Sequence, residues 1–156
     1  MRVENAVFDD VSPLLAHEGS AILIDKVLSY GEGHLVAWVG HDKKSLYSDD
    51  LGNVPIWVGL EYMAQTIGAF AGIVSLQNNE PIRIGLLLGV RKYKASVPRF
   101  LKNSPVEISV EEVFRDEDNL AMFDCEIKDG VDGRVMASAQ IKAILSSDID
   151  QILGEI

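Results

Sequence analysis

The stretch from Trp57 to Leu76, WVGLEYMAQTIGAFAGIVSL, is almost uncharged and carries one acid, Glu61. Its length and composition predict a long helix over 57–76, apolar nearly all round, with Pro55 just ahead of it. Such a helix cannot lie on a surface and must be wrapped by other elements. Ala64, Gly68 and Gly72 recur along it every four residues, with Ala71 beside them. Each interior glycine costs about 1 kcal/mol relative to alanine. Close packing of the helix backbone onto a sheet would offset that cost. The stretch is long enough to cross a bilayer. Glu61, Gln65 and Thr66 within it, and flanks of Asp49, Asp50, Asn78, Asn79 and Glu80, argue against a membrane span.

Most of the remaining chain reads as strand. Ser20–Tyr30 is a mostly apolar strand broken by Asp25 and Lys26, and Gly31-Glu32-Gly33 is a hairpin turn. His34–His41 alternates, with Leu35, Ala37 and Val39 on one face, and a polar loop covers Asp42–Asn53. Arg83–Val97 opens with the apolar run IGLLLGV and then alternates. Val106–Phe114 points Val106, Ile108 and Val110 inward, and Leu120–Lys128 does the same with Ala121, Phe123, Cys125 and Ile127. Arg134–Leu145 closes the set, with turns at 116–119 and 129–133. A short helical turn is expected at Ser12-Pro13 and a short docking helix in the tail 146–156. The expectation is one α+β domain spanning residues 1–156. An antiparallel sheet curls around one long central helix, with the last four strands joined by hairpins. So small a sheet leaves edges and a half-covered helix, so at least a dimer is expected.

Composition narrows the function. The net charge of −10 argues against nonspecific nucleic-acid binding. The single cysteine, Cys125, permits no disulfide within the chain and fits a reducing cytoplasm, where a buried inert thiol is the default. MRVENAVFDD lacks the apolar core of a secretory signal. His34 and His41 stand seven apart with no acid or cysteine at ligand spacing, so no metal site is evident. There is no glycine-rich phosphate loop and no nucleophile elbow.

Glu61 is then the residue to explain. A carboxylic acid buried in an apolar helix has its pKa pushed up, which suits proton transfer. An acid in the first turn also complements the positive end of the helix dipole without any catalytic role. Only three histidines, His17, His34 and His41, are available as partners. His34 lies near a hairpin turn and is expected to be solvated.

Three stretches, in order, carry a resemblance. LLAHEGSAILIDKV at 14–27 is similar to L-P-H-R-x-P-x-L-L-V-D-R-V, and VPIWVGLEYMAQTIGAF at 54–70 to M-P-G-V-L-I-L-E-A-M-A-Q. LLLGVRKYKASVPRF at 86–100 is similar to F-A-G-I-D-x-A-R-F-K-R-x-V. These patterns belong to the bacterial beta-hydroxyacyl–acyl carrier protein dehydratases of the hotdog fold. The wording of the second and third also resembles a divergent branch found in aryl polyene and related fatty-acid-like pathways.

The resemblance implies elimination of water from a 3-hydroxyacyl thioester held on acyl carrier protein, giving a trans-2-enoyl thioester. The family uses a histidine and a carboxylate, usually from opposite subunits. Glu61 matches the carboxylate. The family's usual histidine precedes the acid by fourteen residues, and here that position is Tyr47. His17, matching the histidine of P-H-R, becomes the candidate base, with His41 as competitor. Gly89 matches a glycine whose N–H faces the thioester oxygen, and Ile56 replaces the glycine that follows the family's proline, where the helix N-terminus still offers free N–H groups to that oxygen. Gln65 lies on the face of Glu61, Trp57 and Tyr62 are expected in the core or the tunnel wall, and Asp25 is expected to be structural.

The implied partner is acyl carrier protein, which brings its own phosphopantetheine arm, so no further cofactor is expected. Arg91, Lys92, Lys94, Arg99 and Lys102 supply five of fourteen basic residues within twelve positions, a candidate dock for that acidic partner or else a solvated strand edge. Two alternatives stay open: a hotdog acyl thioesterase, and a non-catalytic hotdog subunit paired with an active relative, as homodimer or heterodimer.

Overall fold

The computed structural model describes residues 7–82 and 86–144. Among the described residues, eight strands and one long helix run in the order β1 (Lys26–Gly31), β2 (His34–Val39), β3 (Val54–Pro55), α1 (Gly59–Gln77), β4 (Leu86–Ala95), β5 (Arg99–Phe100), β6 (Val106–Arg115), β7 (Leu120–Asp129) and β8 (Val135–Ile144). Six strands form one antiparallel sheet in the order β1-β2-β6-β7-β8-β4, and β3 pairs with β5 in a separate two-stranded ribbon. The sheet wraps α1, as the helix's lack of a polar face requires.

Period-two alternation aims the core residues as the sequence predicts. Leu35, Ala37 and Val39 of β2, Val106, Ile108 and Val110 of β6, and Ala121, Phe123, Cys125 and Ile127 of β7 are all buried. From α1, Met63, Ile67, Phe70 and Ile73 meet them, with Phe70 edge-on to Phe123 at 5.8 Å. Each such large apolar side chain contributes about 1.5–3 kcal/mol on burial. Burial pushes the Cys125 thiol up to about 12, which keeps it inert at neutral pH.

Three expectations are corrected. The segment 20–25 is not strand: Gly19–Ala21 forms a single 3-10 turn and β1 begins only at Lys26. The glycine stripe of α1 does not face the sheet. A Cβ on Gly72 would run into the backbone carbonyl of Leu14, and one on Gly68 would meet Leu15 Cδ2 at 3.3 Å. That face packs against the 3-10 turn Ser12–Leu14, which the sequence did anticipate at Ser12-Pro13. Finally, β4 does not pair in a hairpin with the strand after it. It crosses to the far edge and pairs with β8, leaving Leu87, Leu88 and Val90 of its apolar run exposed. β6, β7 and β8 do pair through hairpins. The expected tail helix at 146–156 lies outside the described residues.

Candidate active site

Glu61 stands in the first turn of α1. Its carboxylate is half-buried rather than enclosed: the side chains of Glu61 and His17 are each 41% exposed. What the fold supplies instead is a neighbour. His17 Nε2 lies 3.6 Å from Glu61 Oε1. The two candidate groups, far apart in sequence, meet within a single chain, whereas the resemblance led us to expect them from opposite subunits.

Gln65 explains how. It is fully buried and every polar position is committed. Its Oε1 accepts the backbone N–H of Leu23 at 2.8 Å and of Ile24 at 3.4 Å. Its Nε2 donates to the Ala21 carbonyl at 2.7 Å and to Glu61 Oε1 at 3.1 Å. One side chain therefore ties the segment that follows His17 to the helix and fixes the Glu61 carboxylate. It also accounts for the lack of strand at Leu23 and Ile24, whose backbone donors go to an amide side chain, while ladder bonding to β2 resumes only at the Asp25 N–H, which donates to the Trp38 carbonyl at 2.8 Å. The polar groups of Gln65 are thus spent on the backbone of residues 21–24 and on Glu61.

His41 is built differently. It is buried, stacks on Phe100 with ring centres 5.4 Å apart, and adopts a positive φ of 56°. Its Nδ1 lies 2.7 Å from the Ser104 carbonyl, which can only accept, so Nδ1 carries the proton. Nε2 is then the acceptor for the Tyr62 hydroxyl at 2.9 Å. Burial lowers the His41 pKa and raises that of Tyr62, so both stay neutral. With neither nitrogen free, His41 is a core histidine. The neighbouring Asp25 carboxylate accepts the Gly40 N–H at 2.7 Å, and burial raises its pKa.

The other candidates separate. Trp57 is 58% exposed rather than core, and Tyr47, 38% exposed, packs edge-on against it at 5.5 Å; Tyr62 is the core member of the pair considered. The Ile56 N–H is spent on the Pro98 carbonyl at 3.2 Å, and its own carbonyl accepts from the Tyr93 hydroxyl. It therefore offers no free donor to a thioester oxygen. Gly89 lies on edge strand β4, on a different element from Glu61 and His17, and a Cβ there would meet nothing within 4 Å, so tight packing is not what requires glycine. The basic residues fall on different elements. Arg91, Lys92 and Lys94 lie on β4, and Lys92 and Lys94 line a groove of about 650 Å³ on the outer face of the sheet. Arg99 pairs with Pro55, and the Lys102 N–H donates to Asn53 Oδ1 at 3.0 Å. The chain breaks direction between them at Ser96–Pro98, which adjacency in sequence hides. Among the described residues no group of three or more His, Cys, Asp or Glu is placed to hold a metal ion, and no helix is long and apolar enough to cross a membrane.

A mostly antiparallel sheet wrapped around one long helix, with an acid and a histidine side by side near its start, is a hotdog arrangement. Solved structures agree on the fold. A chain of the dehydratase heterocomplex ApeI:P from Xenorhabdus doucetiae superposes with a TM-score of 0.82 at 25% identity, over 92% of this chain and 95% of that one. A hypothetical thioesterase with coenzyme A from Streptococcus pneumoniae TIGR4 (TM-score 0.56, 16% identity, 76% and 85% of the two chains) and zebrafish thioesterase superfamily member 2 (0.62, 11%, 92% and 99%) share the fold alone. No curated protein sequence matches. The ApeP-like family model, described as ApeP dehydratase, matches residues 9–154, and the chain belongs to that family of dehydratases.

Proposed function

We propose that this protein removes water from a 3-hydroxyacyl thioester carried by acyl carrier protein, giving a trans-2-enoyl thioester in fatty-acid-like or polyene biosynthesis. The carrying observation is the His17–Glu61 pair at 3.6 Å. The proton lost and the hydroxyl expelled sit on adjacent carbons, so base and acid must lie within a few ångströms of each other. Neutral His17 takes the proton from C2, the C–H electron pair becomes the C2=C3 bond, and the C3–O bond breaks as protonated Glu61 hands its proton to the departing hydroxyl. Proton transfer from His17 to Glu61 then resets the pair. Gln65 acts by holding the Glu61 carboxylate in place. No cofactor beyond the carrier's phosphopantetheine arm is required. Family membership supports dehydration over thioester hydrolysis, since the thioesterase neighbours share only the fold.

Pairing with a second hotdog subunit belongs to the same reading. The β4 edge leaves Leu87, Leu88 and Val90 exposed, and unpaired apolar edges recruit partners. Tyr47, where the resemblance calls for a histidine, favours a partner of different sequence, and the structural relative is itself part of a heterocomplex. Mass spectrometry of a 3-hydroxyacyl–acyl carrier protein incubated with the chain, alone and with any co-purifying hotdog subunit, tests this. Loss of water from a still-loaded carrier supports the proposal. Free acid and unloaded carrier would establish a thioesterase, and an unchanged carrier in both incubations would exclude catalysis.

A further inference from the structure

The 3-10 turn Ile56–Val58 leads directly into α1, and neither start is capped by a side chain: Pro55 and Val58, at the two N-cap positions, make no such hydrogen bond. Glu61 follows within the first turn of α1, so its aim depends on what else holds this start in place. Gln65 ties the carboxylate to its own helix and to residues 21–24, and none of its partners lies on the sheet. Two bonds to other elements hold the turn. The Ile56 N–H donates to the Pro98 carbonyl at 3.2 Å, and the Tyr93 hydroxyl of β4 donates to the Ile56 carbonyl. Gly59 leaves room for that hydroxyl, since a Cβ there would meet Tyr93 Oη at 2.6 Å. Burial pushes the Tyr93 pKa up to about 12, so the hydroxyl stays a donor at neutral pH.

Tyr93 reaches the turn because β4 is irregular. Arg91 lies opposite Gln140, an outward residue between buried Ala139 and Ile141. Plain alternation from Arg91 would send Lys92 inward and Tyr93 out. Instead the register slips between Arg91 and Lys94, so Lys92 and Tyr93 together stand opposite Ala139. Lys92 takes a φ of 56°, a left-handed conformation uncommon for a residue with a side chain, and lines the outer groove. Tyr93 is thereby turned inward, against the core. A bulge with a strained residue is a device found beside functional sites.

We infer that Tyr93 is a positioning residue, which sets the Glu61 carboxylate for proton transfer by anchoring the Ile56–Val58 turn to β4. The inference rests on the dehydration proposed for this same site. Tyr93 acts through the turn and Glu61, with no bond of its own to the reacting carbons. The Ile56 carbonyl also accepts the Gly59 N–H, so removal of the hydroxyl leaves no bare acceptor and the fold survives it. What is lost is the tie between the helix start and the sheet.

Tyr93→Phe, made in the wild-type and the Glu61→Gln chains, tests this, with water loss from 3-hydroxyacyl–acyl carrier protein followed by mass spectrometry. With Glu61 present, the change should lower kcat about tenfold and leave KM within about twofold. In the Glu61→Gln chain it should have no further effect, because the carboxylate through which Tyr93 acts is gone. An unchanged kcat overturns the inference. So does an equal loss in both chains, which would assign Tyr93 to the fold alone. Amide hydrogen exchange, which needs no substrate, is read alongside. Residues 56–61 should exchange about tenfold faster in Tyr93→Phe, the worth of one hydrogen bond, with β6 and β7 unchanged. Unchanged exchange at 56–61 removes the anchor. Turnover that ignores Tyr93 removes the positioning role and leaves the reaction standing. Faster local exchange in a chain that releases no water, with or without a co-purifying hotdog subunit, keeps the anchor and removes the reaction.

Discussion

Glu61 and Tyr62 are neighbours on α1, and each meets a histidine, yet the two meetings have opposite characters. Tyr62 and His41 are buried, neutral and saturated: the ring nitrogens of His41 are used by Ser104 and Tyr62 at 2.7 and 2.9 Å. Glu61 and His17 are exposed, stand 3.6 Å apart, and keep free valence toward solvent. The contrast separates architecture from chemistry. A histidine with no nitrogen to spare cannot take a proton from substrate without breaking the fold around it. A histidine at arm's length from a tethered carboxylate can.

The largest effect that sharpens this contrast is on turnover. Glu61→Gln should lower kcat by about 10²–10⁴-fold, the usual worth of a positioned acid. Its melting temperature should stay close to wild type, because the side chain is exposed. On the other side, His41→Ala should destabilise the fold by about 2–4 kcal/mol in a denaturant titration, through a cavity beside Phe100 and a Tyr62 hydroxyl left without its acceptor. Activity per folded molecule should change far less.

A smaller effect is one of pH. Burial lowers the His41 pKa from its ordinary 6.5, so the unfolded chain takes up the proton before the folded one does. Stability from this group is therefore whole above the unfolded value and is lost as pH falls below it, by at most about 1.4 kcal/mol per pH unit until the folded value is reached. Asp25, raised by burial, works in the opposite sense at lower pH. The readout is thus the difference between wild type and His41→Asn across pH 7 to 5, which should close as pH falls. Smallest is a pair of glycine changes beneath the His17 segment. Gly68→Ala should shift stability by about 0.5 kcal/mol or less, because the flexible Leu15 side chain can yield. Gly72→Ala meets the rigid Leu14 backbone and should be clearly worse by both stability and turnover.

The wrapped helix and the inward residues of β2, β6 and β7 were legible because hydrophobic periodicity is local and strong. The position of β4 was not, since strand order depends on contacts between distant segments. Glu61 stood out as the one acid of the apolar run, but its meeting with His17 was legible only through the resemblance, as spacing alone does not bring residues 17 and 61 together. Gln65 was noticed for its place on the Glu61 face, but its real partners are the backbone of Ala21, Leu23 and Ile24. No residue pattern announces such a bond. The exposure of Trp57 was missed because an apolar run was read as uniformly buried. Its proximity to Tyr47 requires the loop 42–53 to fold back on the helix start.

The most direct measurement compares His17→Ala with His41→Asn in a mass-spectrometric dehydration assay on 3-hydroxyacyl–acyl carrier protein, at a temperature where both variants are folded. The account predicts that water loss falls by about 10²-fold or more in the His17 variant and persists near the wild-type rate in the His41 variant. The reverse outcome, with His17→Ala active and His41→Asn folded but inert, would contradict it.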